Sequence, residues 1–228
     1  MSSVRSAYIN GIKGVIFDLD GTMVDSTALV IKHWYNFAEQ EGLDPVKILA
    51  TSHGRRTIET IAEWVPEKAT QEYVDEMEKN LAEETDGLKV LPGVMALLDC
   101  IPLGKWGICT AATSLIAKKR LQQCGLPVPE SLSTGDKVSR GKPDPEGYLN
   151  AAELLGVAPS DCLIFEDAPA GVQSGKAAGM TVIACTTTHT ADQLKEAGAD
   201  HIVSYLSDVS ISVLGDGTFG VKVDLLES

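Results

Sequence analysis

The sequence predicts an α/β fold, in which a mostly parallel sheet forms the core and a helical region is inserted after the first strand. From about residue 92 onward, short apolar runs alternate with helix-length segments, which is the pattern of βαβ units. Between residues 25 and 91 the patterning is helical, with no strand, and this block follows directly on the apolar run at residues 15–17. The two textures together predict a Rossmann-like core of residues 1–24 and 92–228, covered by a helical cap of residues 25–91.

Each element of the cap has its own signal. Residues 26–41 have apolar residues at helical spacing and stop at Gly42, which favours a helix end. Residues 57–64 and 71–84 are also helical in pattern, and Pro92 suits the first turn of a helix that runs to residue 99.

The second half of the chain alternates regularly. The predicted strands cover residues 15–17 in the first half and then 106–109, 162–165, 181–185 and 201–203. The predicted helices between and after them cover residues 114–123, 146–155, 171–178 and 191–197. In such parallel sheets, ligands bind at the carboxyl ends of the strands.

Composition excludes several classes of partner. The formal net charge of −13 argues against binding to nucleic acid or to an anionic membrane surface. No apolar stretch of about 18 residues exists, so we expect no transmembrane helix. The first residues lack the apolar run of a signal peptide, so we expect a cytoplasmic protein, and a monomer by default. The five cysteines are spread through apolar segments, which predicts buried free thiols.

Chemically useful side chains follow four of the apolar runs or loops. Each signal is weak alone, since paired carboxylates are more often part of a solvated turn and a lone threonine is more often a cap. Their joint occurrence at strand ends is informative. The set is Asp18 and Asp20, Thr110, Lys142, and Glu166 with Asp167.

These residue types together fit phosphoryl transfer. That reaction needs a nucleophile, positive charge beside the phosphoryl oxygens and a proton for the leaving oxygen. Asp18 and Asp167 can hold Mg²⁺, which prefers oxygen ligands, and Asp20 can exchange the proton. Lys142 and the Thr110 hydroxyl are suited to the phosphoryl oxygens.

The same motifs resemble the haloacid dehalogenase superfamily, in the branch that carries a helical cap after the first motif. The resemblance spans the whole chain. It is carried by the run Val-Ile-Phe-Asp-Leu-Asp-Gly-Thr ending at Thr22, by Thr110, by Lys142 and by Glu166-Asp167. Residues 52–57, 141–148 and 165–171 are similar, more narrowly, to fungal glycerol phosphatases and 2-deoxyglucose-6-phosphate phosphatases.

The resemblance implies a role for each motif residue. Asp18 is implied to be the nucleophile and Asp20 the acid/base, with Thr110, the Ala111 backbone amide and Lys142 binding phosphate. Mg²⁺ is implied at Asp18, at the Asp20 carbonyl and at Asp167, with Glu166 in or beside the metal shell. Related phosphatases usually follow the threonine with Ser-Gly, whereas this chain has Ala111-Ala112, so we expect no side-chain contact there.

The cap supplies the candidates for substrate recognition. His53 and Arg56 are expected to face the ester, because an acidic protein needs local cations to attract phosphate. The neighbouring Arg55 is equally well explained as part of a solvated turn. Glycerol phosphate, other polyol phosphates and 2-deoxy sugar phosphates all remain open as substrates.

Four other functions share some of these motifs, and each fits the sequence less well than a phosphatase that acts on small phosphate esters. A sugar phosphomutase of the same fold is the main alternative, although its first motif tends to read Asp-Gly-Val rather than Asp20-Gly21-Thr22. A phosphoacceptor receiver is about half this length, and a haloacid dehalogenase proper lacks the second aspartate. A non-catalytic binding module has no need of all four motif segments.

Overall fold

The computed structural model describes residues 5–226 and contains a parallel sheet flanked by helices. Its strands are β1 (Ser6–Ile12), β2 (Gly14–Phe17), β3 (Val24–Asp25), β4 (Lys89–Val90), β5 (Trp106–Cys109), β6 (Leu132–Ser133), β7 (Cys162–Glu166), β8 (Thr181–Cys185), β9 (His201–Val203), β10 (Val209–Val213) and β11 (Phe219–Asp224). Its helices are α1 (Thr27–Glu41), α2 (Pro45–Ser52), α3 (Thr57–Trp64), α4 (Gln71–Glu83), α5 (Val94–Cys100), α6 (Ser114–Gln123), α7 (Glu146–Leu155), α8 (Pro169–Ala177) and α9 (Ala191–Glu196).

The central sheet has six strands in the order β6-β5-β2-β7-β8-β9, and every neighbouring pair is parallel. β2 lies in the interior of this sheet, between β5 and β7, and its four residues are all buried. Phe17 stacks on Phe165 of the neighbouring strand with ring centroids 5.2 Å apart. The predicted α/β fold is confirmed, and the carboxyl ends of β2, β5 and β7 meet at one edge.

The helices α1 to α4 have an apolar cluster of their own. Its buried members include Trp34, Phe37, Ile48, Ile61 and Val74, which come from all four helices. The predicted helices of this region begin and end within about two residues of their expected positions. α1 ends at Gly42, whose φ of 67° lies in the left-handed region that favours glycine.

Two features of this region differ from the sequence prediction. Residues 25–91 were expected to hold no strand, but β4 pairs with β3 in an antiparallel ribbon. Strands of two residues are too short to show periodicity, and this pair joins the two connections between cap and core. α2 was also missed, although Pro45 occupies its first turn and the Asp44 side chain accepts from the Val46 amide over 3.0 Å. The domain boundaries themselves stay a prediction.

A second sheet was missed entirely. It is antiparallel, in the order β1-β11-β10, and packs on the core against α5 and β9. Buried residues alternate with exposed ones at the start of β10 and with half-buried ones along β11, and Asp216-Gly217 lies in the connecting turn. That period of two is the usual signal of a half-buried hairpin, so the sequence carried the information.

The cysteines and the helices bear on two further expectations. All five cysteines are free, but only three are buried, and Cys100 is exposed because it lies on the outer face of α5. Within residues 5–226, no helix combines the length and the apolar composition needed to cross a membrane.

Candidate active site

The predicted catalytic residues lie together where the parallel strands end. Asp18 follows β2, Thr110 follows β5, and Glu166 and Asp167 end and follow β7. Asp18 is only 4% exposed, Asp167 2% and Glu166 0%, so their carboxyl groups lie largely out of bulk water. This burial makes the charges of the site interact strongly with one another.

Lys142 lies between two of these carboxylates. Its Nζ donates to Asp18 Oδ1 over 2.5 Å and to Glu166 Oε1 over 2.6 Å. The third donor direction is used by the Cys109 carbonyl at 3.2 Å. Burial lowers the pKa of Lys142, but Asp18 and Glu166 outweigh it and raise that pKa well above its ordinary value. Lys142 is therefore a fixed positive charge directly beside Asp18.

Glu166 is saturated with hydrogen bonds. Its Oε1 accepts from Lys142 and from the Tyr148 hydroxyl at 3.0 Å. Its Oε2 accepts from the backbone amides of Asp167 and Ala168, at 2.8 and 2.9 Å. A carboxylate offers about four lone-pair positions, so this set of partners favours a role in holding Lys142 over direct contact with a metal.

The cluster carries more negative than positive charge. Burial raises the pKa of Asp18 well above its ordinary value, and Glu166 and Asp167 add to that rise while Lys142 opposes it. Burial also raises the pKa of Asp167, to about 7, with Glu166 contributing next. Three carboxylates thus share one ammonium, which is an environment that a bound cation stabilises.

The donor set fits Mg²⁺. No group of three or more His, Cys, Asp or Glu side chains within residues 5–226 surrounds a common point, as a metal site built from protein alone would require. Mg²⁺ commonly takes one or two carboxylates and completes its shell with a carbonyl, waters and substrate phosphate. A Cβ on Gly21 would collide with Asp167 Oδ2, so glycine lets this carboxylate approach the backbone next to Asp20.

Two hydroxyls position the Asp167 carboxylate. Thr22 donates to Oδ1 over 3.0 Å, and Thr188 donates to Oδ2. The Thr188 hydroxyl also lies 3.0 Å from the Asp167 carbonyl. Thr188 follows β8, so the strand-end rule that found the other residues would also have found this one.

Asp20 is held apart from the Asp18 cluster. Its Oδ1 accepts from Ser26 over 2.6 Å and forms an ion pair with the Arg120 guanidinium. Arg120 is 5% exposed and lies on the face of α6 that also carries the buried Ile116 and Leu121. Sequence reasoning missed Arg120, although a charged residue on the apolar face of a predicted helix is a usable signal.

One cavity of about 90 Å³ joins these groups to the cap. One water needs about 10–15 Å³ of such volume, so the cavity has room for about six to nine waters. A small phosphate ester fits in a space of that size. Asp18, Asp20, Thr110 and Ala111 line its floor. The Thr110 hydroxyl accepts from the Ala112 amide over 3.1 Å, which fixes the start of this phosphate-binding loop candidate.

The cap residues do not all lie where the sequence suggested. His53 lines the cavity, with its ring centroid 6.0 Å from that of His189. Arg55 also lines it and pairs with Glu63 over 2.6 Å. Arg56, which was expected to face the ester, is directed elsewhere.

The Arg56 guanidinium binds a loop of the core instead. It donates to the carbonyls of Gly135, Val138 and Ser139 at 3.2, 2.7 and 2.9 Å, and to Glu59 at 2.6 Å. These carbonyls form a ready-made acceptor set for a cation, and they hold Arg56 outside the cavity wall. In this structure Arg56 therefore joins the cap to the core and does not contact the substrate space.

Comparison with known proteins agrees with this geometry. Residues 12–179 match the family described as Hydrolase: haloacid dehalogenase-like hydrolase. The chain is 39% identical over 210 residues to "Hexitol phosphatase A" of Escherichia coli (strain K12), covering 90% of this chain and 96% of that one. It is 32% identical over 228 residues to "Glycerol-1-phosphate phosphohydrolase 2" of Saccharomyces cerevisiae, with 95% and 89% covered. A crystal structure of β-phosphoglucomutase from Clostridium difficile superposes with a TM-score of 0.73 at 25% identity, with 86% and 92% covered.

Proposed function

The chain belongs to the haloacid dehalogenase-like hydrolase family and is a phosphatase of that family; from this premise, we propose that it hydrolyses phosphate monoesters of small polyols or deoxy sugars through a phosphoryl group carried on Asp18. The observation that carries the proposal is the buried contact between Lys142 and Asp18, because Asp18 lines the same cavity as Asp20. Hexitol phosphate, glycerol phosphate and 2-deoxyglucose 6-phosphate are named for the relatives, and they bound the substrate class.

Asp18 is suited to attack. Lys142 engages only its Oδ1, which leaves Oδ2 for bond formation with phosphorus. In the first step a carboxylate oxygen of Asp18 bonds to phosphorus while the bond to the leaving oxygen breaks. The Thr110 hydroxyl can donate to the phosphoryl oxygens, as can backbone amides of the loop at Ala111, while Lys142 supplies a positive charge directly beside Asp18.

Asp20 is suited to move the proton. It gives a proton to the departing alkoxide and later takes one from the water that attacks the phosphorylated Asp18. Ser26 and Arg120 fix its carboxylate on the cavity wall. The second attack breaks the bond between Asp18 and phosphorus and releases inorganic phosphate.

Members of this family of phosphatases typically use Mg²⁺. Asp18 and Asp167 would hold it, together with the Asp20 carbonyl, and the excess of carboxylate charge supports that assignment. Bound there, Mg²⁺ would neutralise charge on the phosphoryl oxygens. Thr22 and Thr188 keep the Asp167 carboxylate oriented toward the site.

The mutase alternative is less well supported. A mutase must accommodate a second phosphate on the cap side of the cavity. Both arginines that line the cavity are already paired, Arg55 with Glu63 and Arg120 with Asp20, and the Glu78 carboxylate lines the cavity as well. That distribution of charge favours a neutral leaving group over a bisphosphate.

The test is phosphate release from a panel of esters that includes glycerol 1-phosphate, hexitol phosphates and 2-deoxyglucose 6-phosphate. We expect release with Mg²⁺ that is lost in EDTA. Isomerisation of hexose phosphates is measured in parallel, with and without a sugar bisphosphate. Isomerisation that outruns hydrolysis would assign the mutase reaction instead.

A further inference from the structure

Two polar atoms that face the cavity have no hydrogen-bond partner within residues 5–226. They are Ser52 Oγ, at the end of α2, and His33 Nε2, on α1. Ser52 is 4% exposed, so its hydroxyl is also cut off from bulk water. An unpaired buried polar group is destabilising, so a partner outside the protein chain is the natural explanation for one that lines a cavity.

A third polar group on the same cavity comes from α4. Glu78 is 3% exposed and lines the cavity. Its Oε1 accepts from the Thr57 hydroxyl over 2.8 Å, and its Oε2 accepts from the Thr113 hydroxyl. These two bonds leave about half of its lone-pair positions for a further donor.

The three groups have complementary hydrogen-bonding abilities. Ser52 can donate and accept, and Glu78 can accept. Burial lowers the pKa of His33 to about 4, with Arg120 contributing next, so the imidazole is neutral near pH 7 and Nε2 donates or accepts according to its tautomer. Vicinal hydroxyls of a polyol offer both a donor and an acceptor at each carbon.

We propose that Ser52 Oγ, His33 Nε2 and Glu78 form a cap hydroxyl site, which binds the hydroxyl groups of a neutral polyhydroxy leaving group while its phosphate lies at Asp18. This inference rests on the proposed phosphatase function and adds the residues that select the alcohol. The negative charge of the Glu78 carboxylate also makes the site selective. It repels esters whose leaving group carries a second anionic group, such as phosphoglycerates.

Matched esters isolate the contribution of the hydroxyls. Glycerol 1-phosphate and propyl phosphate share a three-carbon chain, but only the first carries free hydroxyls. For Ser52→Ala we expect kcat/KM on glycerol 1-phosphate to fall about 3- to 10-fold, and for Glu78→Gln about 10- to 100-fold. On propyl phosphate, both variants should stay within about twofold of wild type. His33→Leu should behave like Ser52→Ala, and His33→Gln, which keeps a polar end, should recover part of the loss.

Thr60 provides the matched control. Its hydroxyl is also buried and without a partner in the described chain, and the residue is 0% exposed, but it does not line the cavity. Thr60→Val should leave kcat/KM unchanged for both esters. Melting temperatures of all variants separate a lost contact from a damaged fold, since unfolding reduces the rate on both esters together.

An ester with a second anionic group tests whether the negative charge of Glu78 acts on the leaving group. Wild type should hydrolyse 3-phosphoglycerate at least about tenfold less efficiently than glycerol 1-phosphate, and Glu78→Gln should narrow that ratio. The decisive quantity is kcat/KM on glycerol 1-phosphate divided by kcat/KM on propyl phosphate. If this ratio keeps its wild-type value in both Ser52→Ala and Glu78→Gln, the cap hydroxyl site is wrong, although the protein is still a phosphatase. Failure of the proposed function looks different, because wild type would then release phosphate from no ester.

Discussion

Lys142 and Glu166 form a buried ion pair of 2.6 Å, and their side chains are only 4% and 1% exposed. Lys142 reaches Asp18 with the same ammonium group. The pair therefore fixes the position of the positive charge that neighbours the nucleophile, and its energetic role is separable from its chemical role.

Lys142→Met should abolish turnover and destabilise the fold, by about 3–5 kcal/mol, because it leaves buried carboxylates without a counter-charge. The double variant Lys142→Met/Glu166→Gln should regain much of that stability, since one uncompensated charge is gone. It should remain inactive. Chemical denaturation and phosphate release measure the two effects, and a double variant that regains turnover would contradict the role given to Lys142.

Arg56→Ala distinguishes between two roles for Arg56, a contact that joins the cap to the core, as the structure has it, and a contact with the ester, as the sequence predicts. The guanidinium holds core carbonyls of residues 135–139 and does not line the cavity, so its loss should loosen the closed cap for every substrate. We expect kcat/KM to fall about 10- to 100-fold on glycerol 1-phosphate and on para-nitrophenyl phosphate alike. Arg55→Ala is the neighbouring control, with a smaller expected effect. A loss confined to the polyol ester would restore the original prediction that Arg56 contacts the leaving group.

The sequence indicated the site residues at the strand ends better than the site residues that lie within helices. Asp18, Thr110 and Asp167 follow apolar runs, and parallel strands bring their ends together whatever the connections do. Glu78 and Arg120 lie within helices, where a charged residue in one sequence looks solvated unless the helix packing is known. The short ribbon of β3 and β4 was below the length at which periodicity is readable.

Metal removal should have a stability readout as well as a kinetic one. Asp18, Glu166 and Asp167 share one ammonium, so Mg²⁺ should raise the melting temperature of the free protein. The free energy of unfolding should rise by about 2.7 kcal/mol when the free Mg²⁺ concentration is 100 times the dissociation constant. EDTA should abolish turnover, and Ca²⁺, which prefers more ligands and longer bonds, should inhibit.

Asp167→Asn is the matched variant for that experiment. It removes one of the repelling carboxylates and one proposed ligand, so it should weaken the thermal response to Mg²⁺. If Mg²⁺ raises the melting temperature of Asp167→Asn as much as that of wild type, Asp167 is not a ligand and the assigned metal site is wrong.

His33 predicts a pH dependence of stability. Burial lowers its pKa from 6.5 to about 4, followed by the effect of Arg120, while Glu84 opposes the shift. The unfolded chain therefore binds a proton near pH 6.5 that the folded chain accepts only near pH 4. The contribution of His33 to stability is fully present above pH 6.5 and is lost as the pH falls toward 4, by roughly 1–3 kcal/mol.

His33→Gln cannot titrate in this range and serves as the reference. The difference in unfolding free energy between wild type and His33→Gln should change between pH 7 and pH 4.5 in the direction that disfavours wild type at low pH. A difference that is constant across this range would mean that the imidazole is not buried as a neutral group.

The central claim is that phosphate passes through Asp18, and mass spectrometry of the acid-quenched protein tests it most directly. Asp20→Asn should slow the attack of water by about 10²–10⁴ and let the intermediate accumulate during turnover. An aryl phosphate supplies the phosphoryl group, because its leaving oxygen needs little protonation. We predict one added phosphoryl group on the peptide that contains Asp18, and none in the double variant Asp18→Asn/Asp20→Asn. A phosphoryl group on another residue, or an Asp18→Asn protein that still releases phosphate at more than a few thousandths of the wild-type rate, would contradict the account.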